Sequence, residues 1–329
     1  MLTVLLATRN RAQILRDVLE AYCLVEAPSA GWKLVVVDNG STDETHRVID
    51  SFHGRLPLHF IVQPKLGKNC ALNAGLEAVE GDLVVFTDDD AFPRPDWLIQ
   101  LRQAADNHSA YSVFGGAVVP RWEVAPPSWI DWVHLGPTFT LTDPAQPDAP
   151  IAPYLVFGPN MAIRANLFQS GVRFDPSIGP RGSDYPMGSE TELLLRLDRQ
   201  GHKAWHVGSA VVEHLIREEQ LTTTWVFKRA IRYGRGFYRL FCAENSSEES
   251  QWMGVPRRLL GELRNEWMFG IAAWILRKHE AHFRSRWNFN FLRGQAIEAR
   301  RIARSRKGWE QFPSQQQTMS GPDTAVKEP

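Results

Sequence analysis

Residues 3–90 are built from four short apolar runs, each closed by polar residues and separated by stretches with helical spacing. Thr3 to Thr8 is the first, and Ala12 to Tyr22 then places Ile14, Leu15, Val18, Leu19 and Tyr22 at the intervals of an amphipathic helix. Leu34 to Val37 is the second, closed by Asp38-Asn39-Gly40-Ser41-Thr42-Asp43, where Ser41 or Thr42 suits a cap for a helix starting near Asp43. His59 to Val62 is the third; Gly67 opens a loop before an Ala/Leu-rich helix to Val79. Leu83 to Phe86 is the fourth and runs into Asp88-Asp89-Asp90. Strands alternating with helices restrict the chain to an α/β fold: a mainly parallel sheet with helices on both faces. Ligands of such sheets bind beyond the carboxyl ends of the strands. Thr8-Arg9-Asn10, Asp38-Asn39, Gly67-Lys68 and Asp88 to Asp90 are therefore expected to converge on one cleft.

Farther along, the alternation loosens. Val113 to Val119 has strand character, and the Pro- and Trp-rich stretch from Pro120 to Pro153 is expected to form a long, partly mobile loop. Gly188-Ser189-Glu190-Thr191-Glu192 opens a helix through Leu193, Leu194, Leu197 and Arg199, and Ala204 to Val212 is a late strand leading to His214. From Leu221 the pattern is helical to Trp309. The expected organisation is a catalytic domain over 1–236, with halves 1–98 and 99–236, a basic, aromatic-rich helical extension over 237–312, and a disordered tail over 313–329.

The 37 Lys and Arg balance the 37 Asp and Glu, which argues against a protein built to coat nucleic acid, and no nucleic-acid motif is present. The balance hides a gradient, since residues 251–309 hold 13 Lys/Arg against 4 Asp/Glu and five of the twelve tryptophans. Such helices suit either the surface of an anionic membrane or packing on the catalytic domain. Cys23, Cys70 and Cys242 are odd in number and widely spaced, so neither a disulfide framework nor a paired-thiol zinc site is expected. The start lacks a basic leader, and Trp267 to Leu276, the longest apolar window, is about half of what a span requires. A cytoplasmic protein, soluble or peripheral at the membrane's inner face, is the expectation.

Three consecutive carboxylates at a strand end repel one another unless a cation or hydrogen-bond donors neutralise them. Mg²⁺ or Mn²⁺ held by one or two of them would keep open positions for substrate phosphates. A solvated acidic turn is the plainer alternative.

Leu5-Leu-Ala-Thr-Arg-Asn-Arg11, Val35-Val-Val-Asp-Asn-Gly-Ser-Thr-Asp43, Gly67-Lys-Asn-Cys-Ala-Leu-Asn-Ala-Gly75 and Gly81-Asp-Leu-Val-Val-Phe-Thr-Asp-Asp-Asp90, in this order, resemble the family 2 glycosyltransferases with a GT-A fold. The resemblance covers Thr3 to Gly236. It implies an inverting enzyme that moves a sugar from a nucleotide diphosphate, here UDP, to a saccharide or lipid-linked acceptor in polysaccharide or glycolipid assembly. It further implies that Asp38 binds the uracil or ribose with Thr8 and Arg9 beside the base. Asp88 and Asp90 match the outer residues of the family's DxD motif, Asp90 as direct metal ligand and Asp88 near ribose and metal. Asp89 is supporting, since alternation should turn it to the other side. Leu72 stands where many relatives carry Arg before Asn73; the resemblance implies that Asn73 belongs with Asp88 and Asp89 to the nucleotide-sugar site, and Lys68 is the substitute cation for the diphosphate.

Inverting transfer also needs a carboxylate base opposite the leaving group. The resemblance places Glu190 at that position, with Glu192 as the alternative; Ser189 replaces the family's preceding Glu. His214 matches the late histidine that completes the metal or diphosphate site, and Asn160, in Phe157-Gly-Pro-Asn-Met-Ala-Ile163, matches a segment bordering sugar and acceptor. Trp122, Trp129 and Trp132 are either acceptor platforms or clamps of their own loop. A sugar-nucleotide nucleotidyltransferase would show a Gly-rich, basic N-terminal loop, absent here. A non-catalytic nucleotide-sugar-binding or scaffold protein is the rival suggested by Leu72 and Ser189.

Overall fold

The computed structural model describes residues 1–180, 185–244 and 249–310, with side chains as far as 305; the tail expected over 313–329 lies outside the described residues. Strands β1 (Leu2–Thr8), β2 (Trp32–Asp38), β3 (Leu58–Val62) and β4 (Leu83–Asp88) alternate with helices α1 (Ala12–Tyr22), α2 (Thr45–Asp50) and α3 (Lys68–Leu76). The four strands are parallel, in the order β3-β2-β1-β4. The nearly unbroken apolar runs of β1, β2 and β4 follow from burial on both faces, whereas β3, at the sheet edge, is only partly buried. Val4 and Leu6 join Leu15, Val18 and Leu19 of α1 in one core layer, while Leu5, Val35 and Val37 join Ala71, Leu72 and Leu76 of α3 in the other. Helix α2 begins later than Asp43, because that carboxylate accepts the Thr45 N–H at 3.1 Å, while the Ser41 hydroxyl turns to Asp38.

The second half of the sheet is formed by β5 (Ala91–Pro93), β6 (Val113–Trp122), β7 (Ala149–Ile151), β8 (Met161–Arg164) and β9 (Ala204–Ile216), with helices α4 (Trp97–Asn107), α5 (Leu135–Phe139), α6 (Ala165–Gln169) and α7 (Ser189–Arg199) between them. The order continues β4-β8-β6-β9-β5, and β7 adds to β9. β8 is antiparallel to both of its neighbours, and β6 and β9 are parallel. β1 sits between β2 and β4, so the chain winds in opposite directions from it, which opens a crevice at the carboxyl ends of β1 and β4. The registers Thr8 to Asp38 and Ala7 to Asp88 line up the polar closures of three strands at that crevice.

The expected loop over 120–153 is instead largely structured. It contains the end of β6, a 3-10 turn (Ile130–Trp132), α5 and β7, and its tryptophans hold it in place. Trp129 stacks on Phe283 at 5.4 Å, Trp132 meets the same ring edge-on, and Trp122 packs on Phe139. These three tryptophans clamp the segment, as burying so much aromatic surface would favour.

Helix α8 (Thr223–Phe237) starts with the Thr222 side chain accepting from Trp225 N–H at 3.2 Å and ends in a π-turn, Tyr238–Cys242. A hairpin, β10 (Gln251–Trp252) and β11 (Val255–Pro256), leads to α9 (Arg257–Ile275) and α10 (His279–Glu310). Helices α8 and α10 touch backbone to backbone: a Cβ on Gly234 would lie 1.9 Å from the Phe291 carbonyl oxygen, and one on Gly294 would lie 2.1 Å from that of Ile231. Glu298, fully buried on α10, binds Arg235 Nε at 3.0 Å and the guanidinium of Arg239. The extension thus packs directly on α8, across the boundary expected at 236/237. No helix among the described residues is long and apolar enough to cross a membrane. Glu298→Ala removes the buried carboxylate that Arg235 and Arg239 share, and a loss of about 3–5 kcal/mol is expected in denaturant unfolding.

Candidate active site

The crevice holds a cavity of about 330 Å³ whose floor carries all three consecutive carboxylates. β4 ends at Asp88 and the chain turns at once through Asp89 and Asp90, so strand alternation no longer applies. Asp89 therefore lines the cavity with its neighbours rather than pointing to the other side. Each carboxylate has its own partners. Asp88 accepts from Lys68 Nζ at 2.6 Å, Asp89 from Thr8 Oγ1 at 2.7 Å and from Arg11 at 3.0 Å, and Asp90 from Arg11 at 2.5 Å.

Lys68 is the first residue of α3, behind Gly67 at φ 131°, and its ammonium spans the cavity to Glu190 Oε1 at 2.7 Å. Glu190 lies in the first turn of α7, where the helix dipole favours negative charge. It packs against Gly158 so closely that a Cβ there would come within 2.8 Å of its carboxylate. Burial works against ionisation of Glu190, but the Lys68 ammonium outweighs it and holds the carboxyl below the usual range. Burial likewise opposes the charge on Lys68, and Asp88 and Glu190 overcome it, raising the ammonium's pKa. Asp89 is pushed up to about 6, mainly by burial and despite Arg11.

Asp90 is brought to His214 by a pairing the sequence does not advertise. β5 runs antiparallel to β9 with Ala91 opposite His214, and Leu215 N–H donates to the Asp90 carbonyl at 2.9 Å. His214 Nε2 then faces Asp90 Oδ1 at 3.4 Å, while Nδ1 donates to the Phe139 carbonyl at 2.7 Å. Burial again opposes charge on Asp90, yet His214 and Arg11 hold its carboxyl well below the usual range. Asp90 in turn raises the His214 pKa against burial. Among the described residues, no three His, Cys, Asp or Glu side chains group to hold a metal by themselves. Asp88 faces Lys68 instead. What converges is one carboxylate and one imidazole whose outer nitrogen is oriented by a carbonyl, a donor set that substrate phosphates would complete.

The other sequence candidates lie around this centre. Asp38 is fully buried outside the cavity lining; its carboxylate accepts from Ser41 N–H and from His46 Nε2 at 2.7 Å. Arg9 is exposed on the loop after β1. Asn73 exchanges two hydrogen bonds with the Phe174 backbone, and Asn69 binds the carbonyls of Asp175 and Ile178, so both pin the 174–178 segment to α3. Asn160 is fully buried; it accepts from Trp97 Nε1 and donates to the carbonyls of Ala117 and Ala210, and its neighbours Gly158 and Pro159 line the cavity in its place. Glu192 pairs with Arg196 at 2.6 Å, outside the lining. Leu72 is buried in the α3 core layer, where a cation would be desolvated, and the Ser189 hydroxyl donates to Asn69.

Two cavity cations were not singled out by the sequence. Arg11 neutralises two of the three carboxylates, swung back by Asn10 at φ 52°. The repulsion among Asp88, Asp89 and Asp90 was the available signal, but Arg9 and Arg11 are equivalent by spacing. Arg229, on α8, lines the far wall, donates to the Thr138 carbonyl at 3.1 Å and has its pKa lowered chiefly by burial.

A family model, Glycosyl transferase family 2, matches residues 3–167, half of the chain, and the protein belongs to that family. A glucosyl-dolichyl phosphate glucuronosyltransferase of Haloferax volcanii is 24% identical over 213 residues, covering 61% of this chain and 65% of that one. A validoxylamine A glucosyltransferase of Streptomyces hygroscopicus subsp. jinggangensis is 30% identical over 100 residues, or 30% of this chain and 24% of the relative. These matches span less than two thirds of the relatives' lengths. Among solved structures, a mannosyltransferase from Pyrobaculum calidifontis in complex with GDP-Man and Mn²⁺ has a TM-score of 0.58 at 19% identity, covering 91% of this chain and 86% of that one. Residues 1–349 of S. aureus TarS in complex with UDP-GlcNAc have a TM-score of 0.52 at 14% identity over 93% of this chain and 92% of that fragment. The fold is therefore that of the GT-A glycosyltransferases.

Lys68→Met leaves Asp88 and Glu190 facing each other without their cation, at a cost of about 2–3 kcal/mol for side chains that are only partly buried. The Glu190 part follows from linkage. A depressed carboxyl pKa stabilises the fold fully above its unfolded value and loses that contribution as pH falls through the folded value. The stability gap between wild type and Lys68→Met, measured by thermal unfolding, should be widest at neutral pH and narrow below pH 4.5.

Proposed function

We propose that this protein is a metal-dependent, inverting glycosyltransferase that takes its sugar from a UDP-sugar and passes it to a hydroxyl of a saccharide or lipid-linked acceptor, in polysaccharide or glycolipid assembly. The observation that carries this proposal is the Lys68 bridge, which holds a strand-end carboxylate and a helix-start carboxylate on one cation across one cavity. Family membership and a relative named for a glucosyl-dolichyl phosphate substrate support the reaction class and the lipid-linked acceptor.

Asp38, with Thr8 and Arg9, is the proposed uridine side, which requires Asp38 to exchange Ser41 or His46 for the base or ribose. Lys68 is suited to follow the negative charge: a flexible ammonium can leave Asp88 and Glu190 for the donor diphosphate. That exchange would free Glu190, already ionised, to accept the proton of the acceptor hydroxyl. The hydroxyl oxygen then attacks the anomeric carbon as its bond to the diphosphate oxygen breaks on the opposite face, with UDP departing and the configuration inverted. Lys68 and Arg229 offset the charge that develops on the leaving group. Asp90 and His214 would hold Mn²⁺ or Mg²⁺, whose chemistry there is Lewis-acid stabilisation of the diphosphate.

Calorimetric titration of UDP, GDP and dTDP with Mn²⁺ and with EDTA tests the donor side. Binding of UDP that requires Mn²⁺ and is lost in Asp90→Ala is expected; equal UDP binding in EDTA would overturn the metal assignment. Glu190→Gln should keep UDP affinity within about twofold while turnover falls roughly 10²–10⁴-fold, the scale of lost general-base catalysis. Retained turnover in that variant would move the base elsewhere.

A further inference from the structure

The C-terminal half of α9 has its large and small residues reversed relative to a helix that packs on its own protein. Gly270 and Ala273 are the buried positions, and Gly270 faces α10 so closely that a Cβ would meet Ser285 Oγ at 2.9 Å. The bulky residues are turned out: Trp267 is 58% exposed, Met268 57%, Phe269 56%, Trp274 68%, Ile275 65% and Leu276 64%. At 100° per residue, these side chains and Ile271 sweep more than half of the helix circumference. Residues 267–276 carry no charge, and Arg277 and Lys278, both exposed, follow immediately at the turn into α10. Exposed apolar surface of this extent is unusual in a soluble protein and marks a contact site.

We infer that the α9–α10 tip, residues 267–278, is a docking element for an anionic lipid bilayer. Two observations select the bilayer over a second copy of the chain. The apolar arc is too wide to be covered by one facing helix, whose contact needs a narrower stripe, whereas a helix sunk into the headgroup region has its whole outward arc covered. The apolar residues are also bordered by positive charge with little to cancel it. Of the four acids of this region, Glu262 and Glu280 are each paired with an arginine, Glu298 is buried between two, and Glu266 is turned inward to Asn288 of α10, so Arg277 and Lys278 are the charges displayed at the tip. Trp267 and Trp274, two turns apart, supply the amphipathic rings that favour the boundary between headgroups and acyl chains. The segment is too short to cross, so contact is from one side only.

The test uses the full chain and does not depend on the transfer reaction. Cosedimentation is measured with vesicles of phosphatidylcholine alone and of phosphatidylcholine mixed with phosphatidylglycerol. Wild type should bind the mixed vesicles and bind the neutral ones far less. Removing Arg277 and Lys278 together (Arg277→Gln/Lys278→Gln) should weaken partitioning by about fivefold per charge, the worth of one basic residue near an anionic surface. Trp267→Ser/Trp274→Ser should abolish it with the thermal melt unchanged, since both side chains are exposed. Absence of vesicle binding by wild type would overturn the inference. So would equal binding by wild type and Trp267→Ser/Trp274→Ser, or a dimer in sedimentation velocity that this double variant disperses.

Discussion

The mutual repulsion of Asp88, Asp89 and Asp90 is the constraint around which the site is organised. Three carboxylates, two of them nearly buried, end one strand, and the surrounding chain is arranged to neutralise them. Lys68 arrives from the start of α3, Arg11 from the loop after β1, Thr8 from the end of β1 and His214 from β9. These elements form the acidic side of the crevice, while α5, α7 and α8 close the rest of it, so charge compensation shapes one wall of the cavity. Interactions in such a site are stronger than in water, which suits a reaction whose leaving group carries two phosphates.

Neutralising the carboxylates with side chains leaves them available. Lys68 and Arg11 are flexible cations that can follow charge to a ligand, whereas an apolar environment would have protonated the acids outright. The Glu190 carboxylate shows the effect at a distance: it is ionised because Lys68 reaches it, and Gly158 gives it room to lie against the cavity wall. The helical extension belongs to the same design. It packs on α8, which carries Arg229 to the far wall, and the clamp of Trp129 and Trp132 on Phe283 ties α10 to the segment whose Phe139 carbonyl orients His214.

Much of this was legible in the chain. Short apolar runs and helical spacing marked β1 to β4 and their helices, because a parallel sheet buried on both faces writes itself as apolar runs with polar ends. The convergence of Thr8, Lys68 and Asp88 to Asp90 followed from strand direction. The segment over 120–153 was not legible as packed structure, since its stabilising partner, Phe283, lies far away in sequence. Asn73 and Asn160 show the opposite difficulty. Their residue type suits contact with a sugar hydroxyl, but hydrogen-bonding capacity says nothing of whether backbone carbonyls will claim it first. Asp89 broke the expected alternation because the chain turns as soon as β4 ends.

What the sequence alone determined is the parallel half of the sheet, β1 to β4, the crevice at its strand ends and the chemical types gathered there, since these depend on local periodicity and on the direction in which each strand is closed. Which carboxylate meets which cation was decided only by tertiary structure. The pairing of Ala91 with His214, the turn at Asn10 that brings Arg11 rather than Arg9 to the acids, and the reach of Lys68 to Glu190 all join residues that no local pattern connects. The same holds for α9, where composition marks an apolar segment but only packing shows that its small residues face inward and its large ones face out.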